Sequence, residues 1–350
     1  MTCLNLKLHA HVIEATRAPA HPRAPDAATI LGSMAATDQL AAEHRVLTEG
    51  CALVDRSERG KLALTGSEAK TFLHGQVTND VEGLTPGQGC YAAFLTHKGK
   101  MLGDLRVLDA GSELWLDSER VALQPLFNMI HRFKLAMDVE LHKRTLERGL
   151  LSLVGPDARR IAVAEDLPEE EHRNRVGELG GVPVLLVATD VGVDLICAAE
   201  QTVELRAALE LRGAIAVSEA AAECLRVERG RPRFGLDMSE TTIPQEAGIN
   251  ERAVSFTKGC YVGQETVARL HYRGKPNRHL RGLRLSALAE HGDPVTAGER
   301  EVGRLGSVAL SPALGPIALA LLRREAPPGV TVAVGEAGLP AEVVELPFTP

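Results

Sequence analysis

A short pattern of apolar and small residues occurs twice in this chain, and it restricts the fold more than any other feature. Residues 62–69 read Leu-x-Leu-x-Gly-x-x-Ala, and residues 151–158 repeat that pattern at the same spacing. Alternating leucines are typical of a strand, and the glycine that follows indicates a turn into a helix. Each copy begins a series of strand, helix, strand, strand and helix. The repeat therefore predicts two related α+β units, each an antiparallel sheet with helices on one face.

The regions outside the repeat have different patterns. From about residue 276, short apolar runs alternate with Gly and Pro, which favours a small β-barrel or sandwich. Residues 1–35 show little periodicity, and we expect a disordered N-terminal tail there. The predicted organisation is a tail, a first unit at 36–145, a second unit with a motif loop at 146–275, and a barrel at 276–350. A chain of 350 residues exceeds one typical core, which agrees with several domains.

Composition and charge exclude several classes of function. The net charge of −7 argues against a protein that binds nucleic acid with its whole surface, so we expect no direct nucleic-acid binding. The 6 cysteines form no Cys-x-x-Cys pair, and no cysteine–histidine group has zinc spacing. We therefore predict neither a metal site nor a disulfide framework, and a reducing, cytoplasmic location. Since no apolar run reaches the length of a membrane span, we expect no membrane partner.

The most unusual stretch, residues 258–265, reads Lys-Gly-Cys-Tyr-Val-Gly-Gln-Glu. Neither a core strand nor a surface helix has this composition, so the alternatives are a functional site and a tight structural turn. Lys258 lies two residues from Cys260 in sequence, where an amine is able to favour the thiolate. The alternation in residues 266–272 predicts a strand directly after the motif. As site residues we predict Cys260 and Lys258 for chemistry, and Tyr261, Gly263, Gln264 and Glu265 for ligand contacts.

This stretch resembles the signature of a known family. The motif at 258–265, followed by Val-Ala-Arg at 267–269 and Arg-Gly at 273–274, is similar to that of the YgfZ-type folate-binding proteins. Those proteins are related to the glycine-cleavage aminomethyltransferase, or T-protein, and are associated with iron–sulfur protein maturation and tRNA modification. The resemblance implies an α+β fold in which two ferredoxin-like units and a C-terminal β-barrel surround a central channel. It also implies tetrahydrofolate as the cofactor.

The resemblance assigns roles to residues outside the motif. Residues 225–230, Leu-Arg-Val-Glu-Arg-Gly, are similar to the T-protein segment whose glutamate binds the pterin ring, which implies Glu228 and Arg226 as folate contacts. A carboxylate accepts two N–H bonds from the pterin edge as a charge-assisted pair. Asp104 corresponds to one of two neighbouring T-protein aspartates, where a carboxylate assists one-carbon transfer at folate N5. Asn79 also matches the family and is predicted to contact the cofactor.

Two differences from the family pattern bear on the reaction. Gly103 stands where the T-protein has the first aspartate, and Lys100 replaces a glycine. The loss of a carboxylate and the gain of an amine argue against aminomethyl transfer and leave folate binding open. Without the resemblance, Glu228 also fits a solvated helix residue, and Asp104 also fits a charge at a strand edge that faces water.

A basic segment follows the motif. Residues 266–289 contain no acidic residue, which suggests a patch for the glutamate tail of folate or for RNA phosphates, with a solvated surface as the alternative. The basic residues in it are Arg269, Arg273, Lys275, Arg278, Arg281 and Arg284.

These features favour a tetrahydrofolate-binding accessory protein that assists iron–sulfur cluster assembly or repair and affects tRNA modification indirectly. Because one cysteine cannot hold a cluster alone, iron–sulfur proteins or assembly machinery would have to complete a site at Cys260. The alternative is a folate-dependent aminomethyltransferase of the glycine-cleavage type, so the sequence leaves open whether the chain is an enzyme. A cysteine hydrolase would need His271 or His279 near the thiol, and no oxyanion motif accompanies them.

Overall fold

A computed structural model of the protein describes the backbone of residues 27–349 and the side chains of residues 37–349. Helix α1 spans Ala27–Glu49. The predicted disordered tail therefore falls outside the described residues up to residue 26, whereas residues 27–35 begin this helix. None of the helices in the described part combines the length and hydropathy that crossing a membrane requires.

The first sheet contains five antiparallel strands. They are β2 (Gly60–Thr65), β3 (Gly89–Leu95), β4 (Met101–Asp109), β5 (Leu114–Ser118) and β6 (Glu140–Lys143), in the order β3-β4-β5-β2-β6. Helices α2 (Ala69–Gln76) and α3 (Arg120–Phe133) pack against it. Helix α3 buries Ala122, Leu126 and Ile130, whose spacing of four residues places them on one helical face.

The second sheet contains six strands, and its first strand precedes the first sheet in sequence. The strands are β1 (Ala52–Asp55), β7 (Arg148–Val154), β8 (Asn174–Leu179), β9 (Val182–Thr189), β10 (Gly192–Ala198) and β11 (Ile215–Ala216), in the order β11-β1-β7-β10-β9-β8. Helices α4 (Ala158–Ile161) and α5 (Thr202–Leu211), and a 3₁₀ turn at Ala199–Gln201, accompany the sheet.

Strand β1 departs from the predicted division at residues 145 and 146. It pairs antiparallel with β7 and parallel with β11, so the unit predicted at 36–145 contributes a strand to the second sheet. The reason is burial: Leu53 packs in one core with Leu151 and Leu153 of β7. That boundary therefore does not separate the two sheets.

The repeated sequence pattern marks the same turn in both sheets. Gly66 follows β2 and Gly155 follows β7, with φ angles of 106° and 119°. A Cβ atom would lie 2.2 Å from the Asp138 carbonyl oxygen at Gly66, and 2.4 Å from the Gly50 carbonyl oxygen at Gly155. Glycine is required at both turns, because the left-handed backbone and the close carbonyl each exclude a side chain.

Six further strands close into the C-terminal barrel. They are β12 (Arg278–Leu285), β13 (Pro294–Ala297), β14 (Arg300–Ser311), β15 (Gly315–Arg323), β16 (Thr331–Val334) and β17 (Leu339–Val344), in the order β12-β15-β14-β13-β16-β17. The predicted α+β fold with a C-terminal β-barrel is thereby confirmed.

Three helices, α6 (Glu219–Glu228), α7 (Asn250–Ala253) and α8 (Gln264–Arg273), lie between the second sheet and the barrel in sequence. The prediction of a strand at 266–272 is wrong, because those residues belong to α8. Gly263 precedes the helix with a φ of 86°, in the left-handed region that glycine adopts readily. Over seven residues, a single buried side chain at Val267 fits a strand period as well as a helix period.

Arg106 joins the two sheets. This residue of β4 donates hydrogen bonds of 2.6 Å to Asp117 of β5 and to Asp194 of β10, and Arg59 donates one of 2.8 Å to Asp117. The carboxyl of Asp117 is buried, and the guanidinium groups of Arg106 and Arg59 hold its pKa well below the usual range. A hydrophobic cluster also spans both sheets, with Leu108 and Trp115 from the first and Leu150, Leu185, Val187 and Ile196 from the second.

We expect Arg106→Met to lower the free energy of unfolding by about 3–5 kcal/mol, because it leaves the Asp194 carboxylate buried without its partner. Urea unfolding at neutral pH measures this loss. Arg175→Met is the matched control, since Arg175 pairs with Asp166 at the surface, where a change within about 1 kcal/mol is expected. A loss for Arg106→Met no greater than that of the control would contradict a joining role for the guanidinium.

Candidate functional site

A cavity of about 220 Å³ lies between α6 and residues of both sheets. Its three carboxylates, Glu171, Asp190 and Asp194, are outnumbered by seven arginines. This excess of positive charge in an enclosed space favours an anionic ligand. No local spacing could have predicted the cavity, because its arginines are scattered along the chain, at Arg56, Arg59, Arg106, Arg226, Arg229, Arg231 and Arg252.

Ion pairs hold several of these arginines in place. Arg252 contacts Glu171 at 2.8 Å, and Arg231 contacts the same carboxylate at 3.3 Å. Arg226, one of the predicted folate contacts, contacts Asp237 at 3.0 Å. Its place on the cavity wall agrees with a ligand role, which stays a prediction. The guanidinium groups are thus oriented in advance of any ligand.

His172 is one of the polar residues on the cavity wall that sequence reasoning missed. It is 7% exposed, and neither ring nitrogen has a hydrogen-bond partner among the described residues. Burial, together with the nearby Arg106, lowers the pKa of His172 to about 3, so the ring is neutral near pH 7. The nearest carboxylate oxygen, Glu171 Oε2, lies 3.7 Å from His172 Nε2, so the ring nitrogens are available to a ligand in the cavity.

Asp104 is a buried carboxyl group on β4 that does not itself line this cavity and is connected to its wall through Tyr91 and Arg252. The Tyr91 hydroxyl donates a 2.5 Å hydrogen bond to Asp104 Oδ2, while Oδ1 is buried without a partner among the described residues. Burial raises the pKa of Asp104 to about 6; Glu119 adds to the rise, and the Tyr91 hydrogen bond opposes it. The Tyr91 ring lies 5.0 Å from the guanidinium carbon of Arg252, which lines the cavity. The alternative interpretation of Asp104 as a strand-edge charge facing water is therefore wrong, because the side chain is buried and β4 lies inside the sheet.

The two departures from the family pattern also have structural consequences. A Cβ atom at Gly103 would lie 2.6 Å from Ala122 Cβ and 2.7 Å from the Phe94 ring, so this position has no space for a second carboxylate. The Lys100 amine donates to the Thr241 carbonyl oxygen at 2.5 Å. Asp104 therefore has no neighbouring acid at position 103.

The motif at 258–265 forms a loop that exposes one thiol. Cys260 is exposed, and Tyr261 beside it is 7% exposed. Position 263 requires glycine for two reasons. Its backbone is left-handed, and a Cβ atom there would lie 2.6 Å from the Thr96 carbonyl oxygen. Gln264 and Glu265 begin helix α8, with Glu265 exposed in its first turn. The loop thus anchors the tyrosine and presents the cysteine.

Lys258 anchors this loop instead of activating the thiol. Its ammonium donates to the carbonyl oxygens of Val77 at 2.8 Å and Asn79 at 3.1 Å, and also to that of His74. Burial lowers the pKa of Lys258 to about 8, and the thiol among the charges that act on it is Cys90. The expected pairing of Lys258 with Cys260 is therefore not seen.

Asn79 also has a structural role. Its amide donates to the carbonyl oxygens of Tyr91 at 2.8 Å and Arg252 at 3.1 Å, and its side-chain oxygen accepts from the Asp80 amide at 2.9 Å. These bonds fix the two residues that connect Asp104 to the cavity. A direct contact between Asn79 and a cofactor stays a prediction.

Glu228 is the last residue of α6 and does not line the cavity. Its carboxylate accepts a 2.6 Å hydrogen bond from Ser311 and lies 2.9 Å from His44 Nε2. These contacts occupy the oxygens that the resemblance assigns to the pterin ring. The Glu228 side chain is half-buried and hydrogen-bonded, so the alternative interpretation of it as a solvated helix residue is wrong.

The basic segment is divided between two environments. Arg278 pairs with Glu246, Arg281 pairs with Glu345, and Arg284 donates to the Thr349 carbonyl. Arg273 and Lys275 are exposed at the end of α8 and just after it. A continuous patch for RNA phosphates is therefore not formed by the whole segment.

Comparison with known proteins agrees with this architecture. The GCVT N-terminal domain model matches residues 17–258, and the glycine cleavage T-protein C-terminal barrel domain model matches residues 278–349. An aminomethyltransferase of Rubrobacter xylanophilus is 30% identical over 318 residues, covering 88% of this chain and 85% of that protein. One from Halothermothrix orenii is 29% identical over 325 residues, covering 87% and 90%.

A solved structure gives the same result for the fold. The glycine cleavage system aminomethyltransferase T from Bartonella henselae superimposes with a TM-score of 0.78 at 22% identity, covering 89% of each chain. The narrower YgfZ-type resemblance rests on residues 258–265 and stays a prediction. Both halves of the chain match, so the protein belongs to the glycine cleavage T-protein family.

Proposed function

We propose that this protein is a tetrahydrofolate-dependent one-carbon transferase of the aminomethyltransferase type, in which Asp104 is the acid–base group. The observation that carries the proposal is the buried Asp104 carboxyl group, with a pKa raised to about 6 and one oxygen without a partner among the described residues. Perturbed carboxyl groups beside a cavity are typical of functional sites. The match to aminomethyltransferases supports the reaction class.

The described residues fit tetrahydrofolate, the cofactor of this family. Arginine binds carboxylates in bidentate geometry, so Arg229, Arg231 and Arg252 suit the glutamate part of the molecule. The unpaired nitrogens of His172 and the unpaired Oδ1 of Asp104 suit the polar edge of a ring system. A cavity of about 220 Å³ is below the usual range of about 300–1,000 Å³, so part of the cofactor would extend beyond it.

Asp104 would supply both charge and proton transfer. When bound, tetrahydrofolate supplies the nitrogen that accepts the one-carbon unit. A carboxyl group with a pKa of about 6 is mostly ionised near pH 7, and it stabilises positive charge that develops beside it. The same group also exchanges a proton readily near neutral pH. Tyr91 orients it by donating to Oδ2, which leaves Oδ1 for the reacting group.

We expect Asp104→Asn to reduce tetrahydrofolate-dependent release of ammonia from an aminomethylated lipoyl carrier by about 10²–10⁴-fold, the range for a lost acid–base group. The wild-type rate should also change with an apparent pKa near 6 that the variant lacks. The control is Asp109→Asn, which changes a buried carboxylate of the same strand that pairs with Lys70. An unchanged rate and pH profile in Asp104→Asn would refute the assignment.

Asp104→Asn should increase the stability of the fold, although it lowers the rate of the reaction. The pKa of Asp104 is raised from 3.8 to about 6 on folding, so the unfolded chain loses its proton at lower pH. The contribution of the Asp104 carboxyl group to folding stability is therefore full below about pH 4, and it is lost as the pH rises through 6. We expect Asp104→Asn to raise the free energy of unfolding by about 3 kcal/mol at pH 8 and hardly at pH 4, measured by urea unfolding. Equal effects at both pH values would contradict this.

The accessory role at iron–sulfur proteins is a second candidate, supported by the exposure of Cys260. Of the other described cysteines, Cys51, Cys197 and Cys224 are buried and Cys90 is half-buried. An exposed thiol is available for exchange with, or transient ligation to, a cluster held by a partner protein. This role would affect tRNA modification through an iron–sulfur enzyme. Cys260→Ala should then abolish rescue of such an enzyme in cells lacking the protein, while folate binding persists.

Accessibility of this thiol is testable directly. In the Cys3→Ser protein, iodoacetamide at neutral pH should label Cys260 in the folded state and the remaining cysteines only in urea, because burial protects them. Peptide mass analysis identifies the labelled residue, and Cys260→Ser provides the unlabelled control. Protection of Cys260 in the folded protein would remove the basis of the second candidate.

A further inference from the structure

We propose that His44, Cys224 and Glu228 form a binding site for a divalent transition-metal ion, which their chemistry identifies as Zn²⁺. One ligand atom from each residue lies within 4.8 Å of the others. Imidazole nitrogen, thiolate and carboxylate oxygen are the three ligand types that zinc accepts in proteins. The site lies outside the arginine-rich cavity, and neither the repeat nor the motif at 258–265 indicates it.

The distances are close to those that an ion needs. His44 Nε2 lies 2.9 and 3.0 Å from the two oxygens of Glu228, and Cys224 Sγ lies 3.6 Å from Oε1. Zinc bonds of about 2.0–2.3 Å place tetrahedral ligand atoms roughly 3.3–3.8 Å apart. A separation of His44 and Glu228 by a few tenths of an ångström would therefore admit the ion.

Two helices bring these ligands together. Cys224 and Glu228 are separated by four residues on α6, so they share one face of that helix. His44 comes from α1, which is distant in sequence. His44 and Glu228 have side-chain exposures of 12% and 13%, which leaves a narrow opening for a water as the fourth ligand.

Ser311 at the end of β14 orients the carboxylate. Its hydroxyl donates to Glu228 Oε1 at 2.6 Å and accepts from the backbone amides of Ala313 and Leu314 at 3.1 and 3.0 Å. The serine is therefore fixed before it holds Glu228. Such hydrogen-bonded support of a ligating carboxylate is a usual property of metal sites.

Charge is the second observation that points to a cation. Two buried carboxylates have guanidinium partners: Asp117 has Arg59 and Arg106, and Asp237 has Arg226. Glu228 has no arginine or lysine partner within 4.0 Å among the described residues. One thiolate and one carboxylate balance a divalent ion when the imidazole is neutral.

The sequence could not indicate this site. Zinc motifs are recognised by short spacings between ligands, but 184 residues separate His44 from Glu228. The ion would connect α1 to α6, and Arg226 of α6 lines the cavity. We assign it a positioning role for α6 within the fold, independent of the proposed transferase reaction.

The test is a titration of the chelator-treated full-length protein with Co²⁺, followed by the thiolate-to-cobalt absorption band, with Zn²⁺ affinity measured by competition. We expect one equivalent of Co²⁺ to give this band in the wild type. Cys224→Ser should abolish the band, and His44→Gln should weaken Zn²⁺ binding by more than about 100-fold. Ser311→Ala should weaken binding by roughly tenfold, as for a supporting residue.

The variants are chosen so that misfolding cannot imitate the result. Glutamine at 44 keeps an N–H donor for Glu228, so the metal-free His44→Gln protein should melt within a few degrees of the wild type. Cys197→Ser and Cys260→Ser control for another buried thiol and for the exposed one, and both should keep the band. Absence of the band in the wild type, or its loss in Cys260→Ser with retention in Cys224→Ser, would overturn the proposal.

Discussion

The guanidinium group of Arg106 is the interaction on which the arrangement of the two sheets depends. It bonds to Asp117 within its own sheet and to Asp194 in the other, and it also lines the cavity. A hydrophobic cluster alone would tolerate small shifts between the sheets, whereas a planar guanidinium bound to two carboxylates allows one register. The same residue therefore fixes the fold and the charge of the space where a ligand would bind. The ion pairs of Arg106 thus determine both the packing of the sheets and the charge on the cavity wall.

The carboxyl group of Asp104 lies in an environment that disfavours its ionised form. Burial raises its pKa to about 6, and the fold tolerates that unfavourable environment because Tyr91 satisfies one oxygen. The neighbouring position has become glycine, and Ala122 and the Phe94 ring fill the space that a side chain would need. In the proposed reaction, this single carboxyl group would have to provide both negative charge and proton exchange. This difference from the family pattern is built into the packing of α3 against β4.

Local patterns predicted the architecture well and the site incompletely. The glycines at 66 and 155 were visible because each is required by its own turn, and the barrel strands were visible because they alternate. Helix α8 was predicted as a strand, since a seven-residue window with one buried side chain fits either period. Asp104 came from the family resemblance alone. His172, Tyr91 and the cavity arginines come from separate segments, so their proximity is a property of the fold and not of any spacing in the sequence.

Strand β1 makes the whole first sheet an insertion within the second. Its register pairs Asp55 with Leu151, and every strand of the first sheet lies between those two residues. During synthesis, β1 leaves the ribosome before its antiparallel partner β7 has been made. Its backbone N–H and C=O groups therefore lack their strand partners until β7 follows. Early formation of the inserted sheet would shorten the distance between the waiting strand and its partner, which reduces the entropy lost on closing the loop. This connectivity therefore favours formation of the inserted first sheet before β1 pairs with β7.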